Sequence, residues 1–454
     1  MELIDSIIVA LFFAIILIIG VIDRKKITLE DYWVNSRKTK TFFLVATVLS
    51  TFIGVGAIIG TAGIAFDGGG LIALAIPFSF LFYLMLYAKF IAPKIKEFGD
   101  RHQAYTLPDY FAVRYSKKAG IAASVINLIS YALSLALQFV GMGIFVSALT
   151  GFDPNLATIV GALIIIIYST VGGLKADIRT DIFQFIIMLG LILVFLPVVI
   201  VKGGGLAALS SLPSAFLLGT NFAPSYVIVM AFLFIGLVTF TFSDLWQRAY
   251  AGASAKIVKK AAYISGTFAF LFMLMAVLLG IYGHILTPTA TSNTIISDLM
   301  SLILPAGLYG LVLIGFFAAI MSSADTVLLI TSMTLVHDIY IKGMNKPMTE
   351  HATLRLSRIV TFVLGILGLI VALLISNVVH LAIESISFYV VLTPAVIFGF
   401  YWKRANNKAA IWSVLIGLIG VFAFLFIDPV QAFIPGIVLS FLTFILVAFL
   451  TKND

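Results

Sequence analysis

Thirteen apolar runs, each long enough to cross the roughly 30 Å hydrocarbon layer of a bilayer, occupy most of this chain and are joined by short charged connections. They fall at 4–22, 42–66, 70–92, 119–149, 155–173, 180–201, 224–247, 259–285, 306–335, 356–378, 380–401, 409–427 and 431–451. A water-soluble fold is excluded, because 62% of the residues are hydrophobic and 11% charged, against roughly 45 to 50% and 25% in soluble domains. The expected architecture is an all-α polytopic membrane protein forming one transmembrane domain over 1–454.

The net charge of +8 would suggest nucleic acid in a soluble protein, so the position of the positive charge decides its meaning. When the thirteen spans alternate from an outside N-terminus, only Lys202 of the 28 Lys and Arg residues falls in an outside loop. Basic residues held to one side are the signature of membrane orientation. Nucleic acid is therefore not an expected partner, and the C-terminus is expected in the cytoplasm. Arg24, Lys25 and Lys26 follow the first run with no basic residue before it, the reverse of a cleavable signal. Cysteine is absent, and the five histidines (His102, His284, His337, His351, His380) lie near expected helix ends without ligand-like spacing. No transition-metal centre is expected.

The segment from Gly315 to Tyr340, GFFAAIMSSADTVLLITSMTLVHDIY, keeps polar residues inside an apolar helix. Ser322 and Ser323 lie three and four residues beyond Ala319, and Asp325 and Thr326 three and four beyond Ser322, so one helical strip carries three hydroxyls and a carboxylate. A carboxylate at bilayer depth costs roughly 2.5 to 3.5 kcal/mol, and hard oxygen ligands suit a small hard cation. The functional reading is a sodium site; the alternative is that the hydroxyls bond back to carbonyls one turn earlier.

In the second run Gly54, Gly56 and Gly60 follow Ser50 and Thr51. Glycine loosens a helix, and freed carbonyls at membrane depth are tolerated only around a cavity or an ion; close packing through small residues is the other reading. Thr239, Thr241 and Ser243 suggest a second break in the seventh run. Asp244, Gln247 and Arg248 are expected at the cytoplasmic edge as a solvated ion pair, and Asp181 as the acid opening the sixth helix. Pro108 and Pro347 mark cytoplasmic turns, and 291–305 is expected as an outer loop with a short helix. Gln138 is expected to bond between helices, and Glu384 to lie at the interface.

Taken together, AAIMSSADT followed by DIY, GGLKADIRTDIFQ, TLPDYFAVRY, the glycine-bearing second run and DLWQRAYAGASAK resemble the sodium:solute symporter family over nearly the whole chain. The resemblance implies a LeuT-type core of two inverted five-helix repeats, 42–201 and 224–401, with an extra helix at 1–22 and two more at 409–451. It implies a sodium ion held by the Ser50, Ile53 and Ala319 carbonyls and the Ser322 and Ser323 hydroxyls. A possible second cation site takes Asp181, Asp325 and Thr326; here Asp325 departs from sialic acid transporters, which carry a serine. The substrate is expected near Thr51, Ala57, Gln138, Phe240, Thr241 and Tyr389, with no basic residue at mid-depth to neutralise a carboxylate.

The function so implied is sodium-coupled symport of a small organic solute, an amino acid such as proline or a small organic acid, across the plasma membrane. A proton-coupled carrier using Asp181 and Asp325, or a solute sensor of the same fold, are the alternatives. The expected partners are the solute, Na+ and the lipid bilayer; no enzyme activity and no obligatory protein partner are expected.

Overall fold

The computed structural model describes residues 2–21, 28–171, 174–219, 222–375 and 377–451. The basic residues Arg24, Lys25 and Lys26 lie outside them. The described chain is almost wholly helical, its one β-bridge pairing Thr39 with Gly252. Among the described residues nine helices are long and apolar enough to cross a membrane, or ten when the bent pair Ser225–Phe240 and Ser243–Ala251 is taken as one. Three shorter apolar helices, Leu3–Ile19, Thr41–Phe52 and Pro154–Ile167, lie within other expected spans.

The helix that begins at Leu308 is the pillar of the molecule. It continues to Gly343, and its apolar window is entirely buried, polar strip included. Around it pack Lys117–Thr150, Leu174–Gly190 and Thr41–Phe52. Outer helices turn large apolar side chains outward, among them Leu11, Leu193, Ile359 and Leu446, the arrangement a lipid-facing surface requires. Asn407–Leu425 and Phe433–Leu450 pack on each other at the periphery.

Several boundaries differ from the sequence reading. The helix expected to open near residue 180 begins at Leu174, because nothing in LKADIR interrupts it, so Asp181 sits two turns inside and cannot be an N-terminal cap. The connection 93–118 carries the helices Ala92–His102 and Leu107–Arg114, and Pro108 occupies the first turn of the latter behind the Thr106 cap, where its missing N–H costs nothing. In the outer segment 291–305 a short helix, Ile295–Ile303, does form.

Two helices are interrupted. The first, Thr41–Phe52 (α1), ends at Ile53 with φ −89° and ψ 68°, and the chain becomes helical again at Gly56. The second break lies between Phe240 and Ser243, where Phe242 is extended and the axis bends by 41°.

Candidate functional site

The break in α1 leaves backbone acceptors without a helical donor. Its last helical bond runs from the Ile53 N–H to Leu49, so the carbonyls from Ser50 onward must find other partners. They face the pillar helix Leu308–Met333 (α4 below), and its serines supply the protons. The Ser322 hydroxyl donates to the Ser50 carbonyl at 2.7 Å and lies 3.1 Å from the Ala319 carbonyl. Ser323 Oγ lies 2.8 Å from the Thr51 carbonyl, 3.1 Å from that of Ala319 and 3.5 Å from that of Ser50. Five oxygens from two helices thus converge in a fully buried place. Four belong to the expected sodium set and Thr51 is an addition; Ile53 stands at the break itself, without a hydrogen bond to either serine among the described residues. Rotation of two hydroxyl protons would turn this hydrogen-bonded cluster into a set of lone pairs aimed at one small cation, the chemistry hard oxygen ligands support.

One turn further along both helices the arrangement changes. Here the sequence reading placed a second cation site, and beside its residues lies the guanidinium of Arg248, which is 1% exposed. Arg248 lies on Ser243–Ala251 (α3), just beyond the second break. Its Nη2 donates to Thr326 at 2.6 Å, Asp177 at 2.8 Å and Thr51 at 2.9 Å, and stands 3.6 Å from Asp181; its Nε is 3.3 Å from Thr47 Oγ1. Asp177 and Asp181 share one face of Leu174–Gly190 (α2) at a spacing of four. Thr47 donates to Asp181, and the Asp177 carboxyl is in hydrogen-bonding contact with that of Asp325, whose Oδ1 also accepts from the Thr326 N–H. Asp325 and Asp181 are therefore joined through Asp177 and Arg248. The expectation of a solvated pair at the membrane edge is corrected at Arg248: the second break turns α3 inward, so Asp244, Gln247 and Arg248 are all buried. Asp177 was missed, although ADIRTD places two acids one turn apart on one face.

Beside the first break lies a cavity of about 160 Å³. Thr51, Ala57, Gln138 and Tyr389 line it; Phe240 and Thr241 do not, since the tight turn before the break directs Thr241 Oγ1 to the Val238 and Tyr389 carbonyls. In their place stand Phe242 and Asp244. Gln138 also accepts from the Val55 N–H at 3.1 Å and so holds one side of the break.

A second polar cluster joins other elements. His337 Nε2 lies 3.3 Å from Asp109 Oδ2 and 4.0 Å from Asp338, so His337 is not the isolated histidine its sequence position suggests. Lys342 Nζ is 2.6 Å from the other Asp109 oxygen, and the Trp33 indole packs on the imidazole at 4.6 Å. Burial alone would raise the Asp109 carboxyl, but hydrogen bonds and charge from His337 and Lys342 outweigh it and hold it well below the usual carboxylate range. Such a depressed group stabilises the fold at all pH values above about 4 and loses that contribution only as pH falls through its own lowered value.

Comparison with known proteins decides the family. A family model described as the sodium:solute symporter family matches residues 32–417. The chain belongs to the sodium:solute symporter family. This symporter chain is 27% identical over 452 residues to the sodium/pantothenate symporter of Escherichia coli K12, covering 93% of this chain and 91% of that one. It is 25% identical over 482 residues to a sodium/proline symporter of Staphylococcus aureus, covering 98% and 93%. Among solved structures it is similar to a Na+-coupled sialic acid symporter in a substrate-bound, outward-open state, with a TM-score of 0.84, 18% identity and 100% and 99% coverage. It also resembles Mhp1, a nucleobase-cation-symport-1 transporter, with a TM-score of 0.62. Its fold is thus the LeuT type.

The fit between Gly54 and its surroundings yields a direct prediction for this symporter. A Cβ on Gly54 would lie 2.6 Å from Ser323 Oγ and 2.9 Å from the Gln138 amide, whereas one on Gly60 meets nothing nearer than 3.9 Å. Gly54→Ala is expected to reduce uptake by reconstituted vesicles at least tenfold while Gly60→Ala stays near the parent. Equal activity of the two would show that the serines and the break do not meet this tightly.

Proposed function

We propose that this chain carries a small organic solute across the membrane together with Na+, by alternating access. The observation that carries the reading is the convergence of the Ser322 and Ser323 hydroxyls on the Ser50, Thr51 and Ala319 carbonyls at the edge of the cavity. A cation placed there draws α1 and α4 together, and the broken half of α1 forms one wall of the solute cavity. Ion binding thereby favours the arrangement that accepts solute, and coupling of this kind is typically worth about 1 to 3 kcal/mol. Loaded with both, the core helices rock to expose the cavity to the other side.

Relatives named for pantothenate and for proline make both solutes the first to be tried. Proteoliposomes containing the purified chain are expected to accumulate one of them when an inward Na+ gradient is imposed, and not when K+ replaces Na+. The contact between the Asp177 and Asp325 carboxyls favours a second reading, since two facing acids can share one proton. Uptake driven by a pH gradient in sodium-free medium, with no response to Na+, would replace the sodium reading with the proton-coupled one.

A further inference from the structure

The cavity that would hold the solute has one charged group in its lining, and that group is negative. Among its lining residues, all of them described, there is no Lys, Arg or His; Asp244 is the one ionisable acid. Asp244 is 7% exposed. The Tyr131 hydroxyl donates to its Oδ1 at 2.5 Å and accepts from its backbone N–H at 2.9 Å. No basic nitrogen among the described residues lies within ion-pair distance of it. The Arg248 guanidinium, one turn on, is directed to Asp177 and Asp181. A buried carboxylate without a close ion-pair partner is costly, and proteins meet the cost with a paired charge or a bound proton.

The rest of the lining suits the same visitor. Five aromatic rings adjoin one another around the space: Phe80 and Phe52 at 5.4 Å between centroids, Phe52 and Phe242 at 6.2 Å, Phe242 and Tyr389 at 5.8 Å, and Tyr389 and Tyr131 at 5.1 Å. Their faces are regions of negative potential, which attract an alkylated ammonium more strongly once water is excluded. The Tyr389 hydroxyl is turned away to Asn127 at 2.6 Å and the Tyr131 hydroxyl is occupied by Asp244, so these rings offer the cavity surface rather than hydroxyl protons.

We propose that the transported solute bears a positively charged nitrogen, seated against Asp244 within this aromatic enclosure. The proposal rests on the transport reading above and sharpens it. A zwitterion such as an amino acid or betaine meets it, and so does a simple organic cation. A solute whose only charge is negative meets a like charge and finds no basic group in the lining to pair with, so Asp244 both attracts one class and turns away the other.

The test uses the purified chain and follows its thermal midpoint in saturating NaCl with added L-proline, glycine betaine, choline, lactate or pantothenate. A bound ligand raises apparent stability by mass action. The expected result is an added shift with one or more of the nitrogen cations and none with lactate or pantothenate. Asp244→Asn should weaken that solute on the order of 100-fold, as loss of one partner of a buried charge pair does, and Tyr131→Phe by roughly tenfold, through loss of the hydrogen bond that orients the carboxylate. Both variants should keep the shift produced by NaCl alone, which shows them folded and the ion site intact. Stabilisation by lactate or pantothenate, or a solute response that survives Asp244→Asn, would overturn the assignment. So would a variant whose sodium midpoint moves while its solute affinity stays, for Asp244 would then serve the ion. Stabilisation by NaCl with no response to any nitrogen cation also overturns it, leaving the transport reading standing; absence of any NaCl effect in the parent chain removes the sodium reading first and this proposal with it.

Discussion

Joint replacement of Ser322 and Ser323 by alanine is expected to abolish the dependence of uptake on Na+ over any practical concentration range. Each hydroxyl contributes one oxygen to a buried cluster in which neither backbone partner has a helical donor. An interaction with a charged group of this sort is worth about 1.5 to 3 kcal/mol, so each single variant should raise the half-saturating Na+ concentration about tenfold to a hundredfold. The double variant loses both oxygens. It also leaves the Ser50 and Thr51 carbonyls without their hydroxyl donors, so its thermal midpoint should fall as well. Single-serine variants with the sodium dependence of the parent would place the ion elsewhere, and the coupling argument built on the first break would not survive that result.

Arg248→Met should be the most damaging single change to the fold. The guanidinium is the only basic group within ion-pair distance of Asp177 and Asp181 among the described residues, and both acids are buried. Removing one partner of a buried ion pair typically costs about 3 to 5 kcal/mol, because the other charge stays behind. Arg248→Lys should recover only part of this, since an ammonium cannot reproduce the fork that reaches Thr47 through Nε while Nη2 holds Thr51, Asp177 and Thr326. Adding Asp177→Asn and Asp181→Asn to Arg248→Met should restore much of the midpoint, as replacing a whole buried ionic set is far less harmful than breaking it. A simple thermal-stability comparison of the four proteins decides the matter; an Arg248→Met protein as stable as the parent would show that the acids have other means of compensation.

Sequence and structure can be compared at four places. The strip from Ala319 to Thr326 was legible because helical spacing is rigid: once SSADT lies on a buried helix, its hydroxyls must share a face. The first break was legible as a tendency, since Gly54 and Gly56 only permit what the serine contacts and the Gln138 bond to Val55 enforce. Around Arg248 the sequence misled. DLWQR reads as an interfacial amphipathic turn, and its burial follows from a bend at Thr241 and Phe242 that local composition signals weakly. Once α3 points inward the long arginine side chain finds the acids of α2, and one misjudged bend thus hid both the buried guanidinium and the cavity carboxylate. The cluster of Asp109, His337 and Lys342 was illegible for another reason, since Asp109 lies 228 and 233 residues from its two partners and only tertiary packing joins them.

The position of Arg248 has a consequence for how the core can move. One turn from the Ser50, Ser322 and Ser323 oxygens its guanidinium bonds Thr47 of α1 and Thr326 of α4, while Asp177 and Asp181 of α2 balance its charge. Three helices are thus buttoned together at a single side chain, and any hinge between them must lie elsewhere or undo that clasp first.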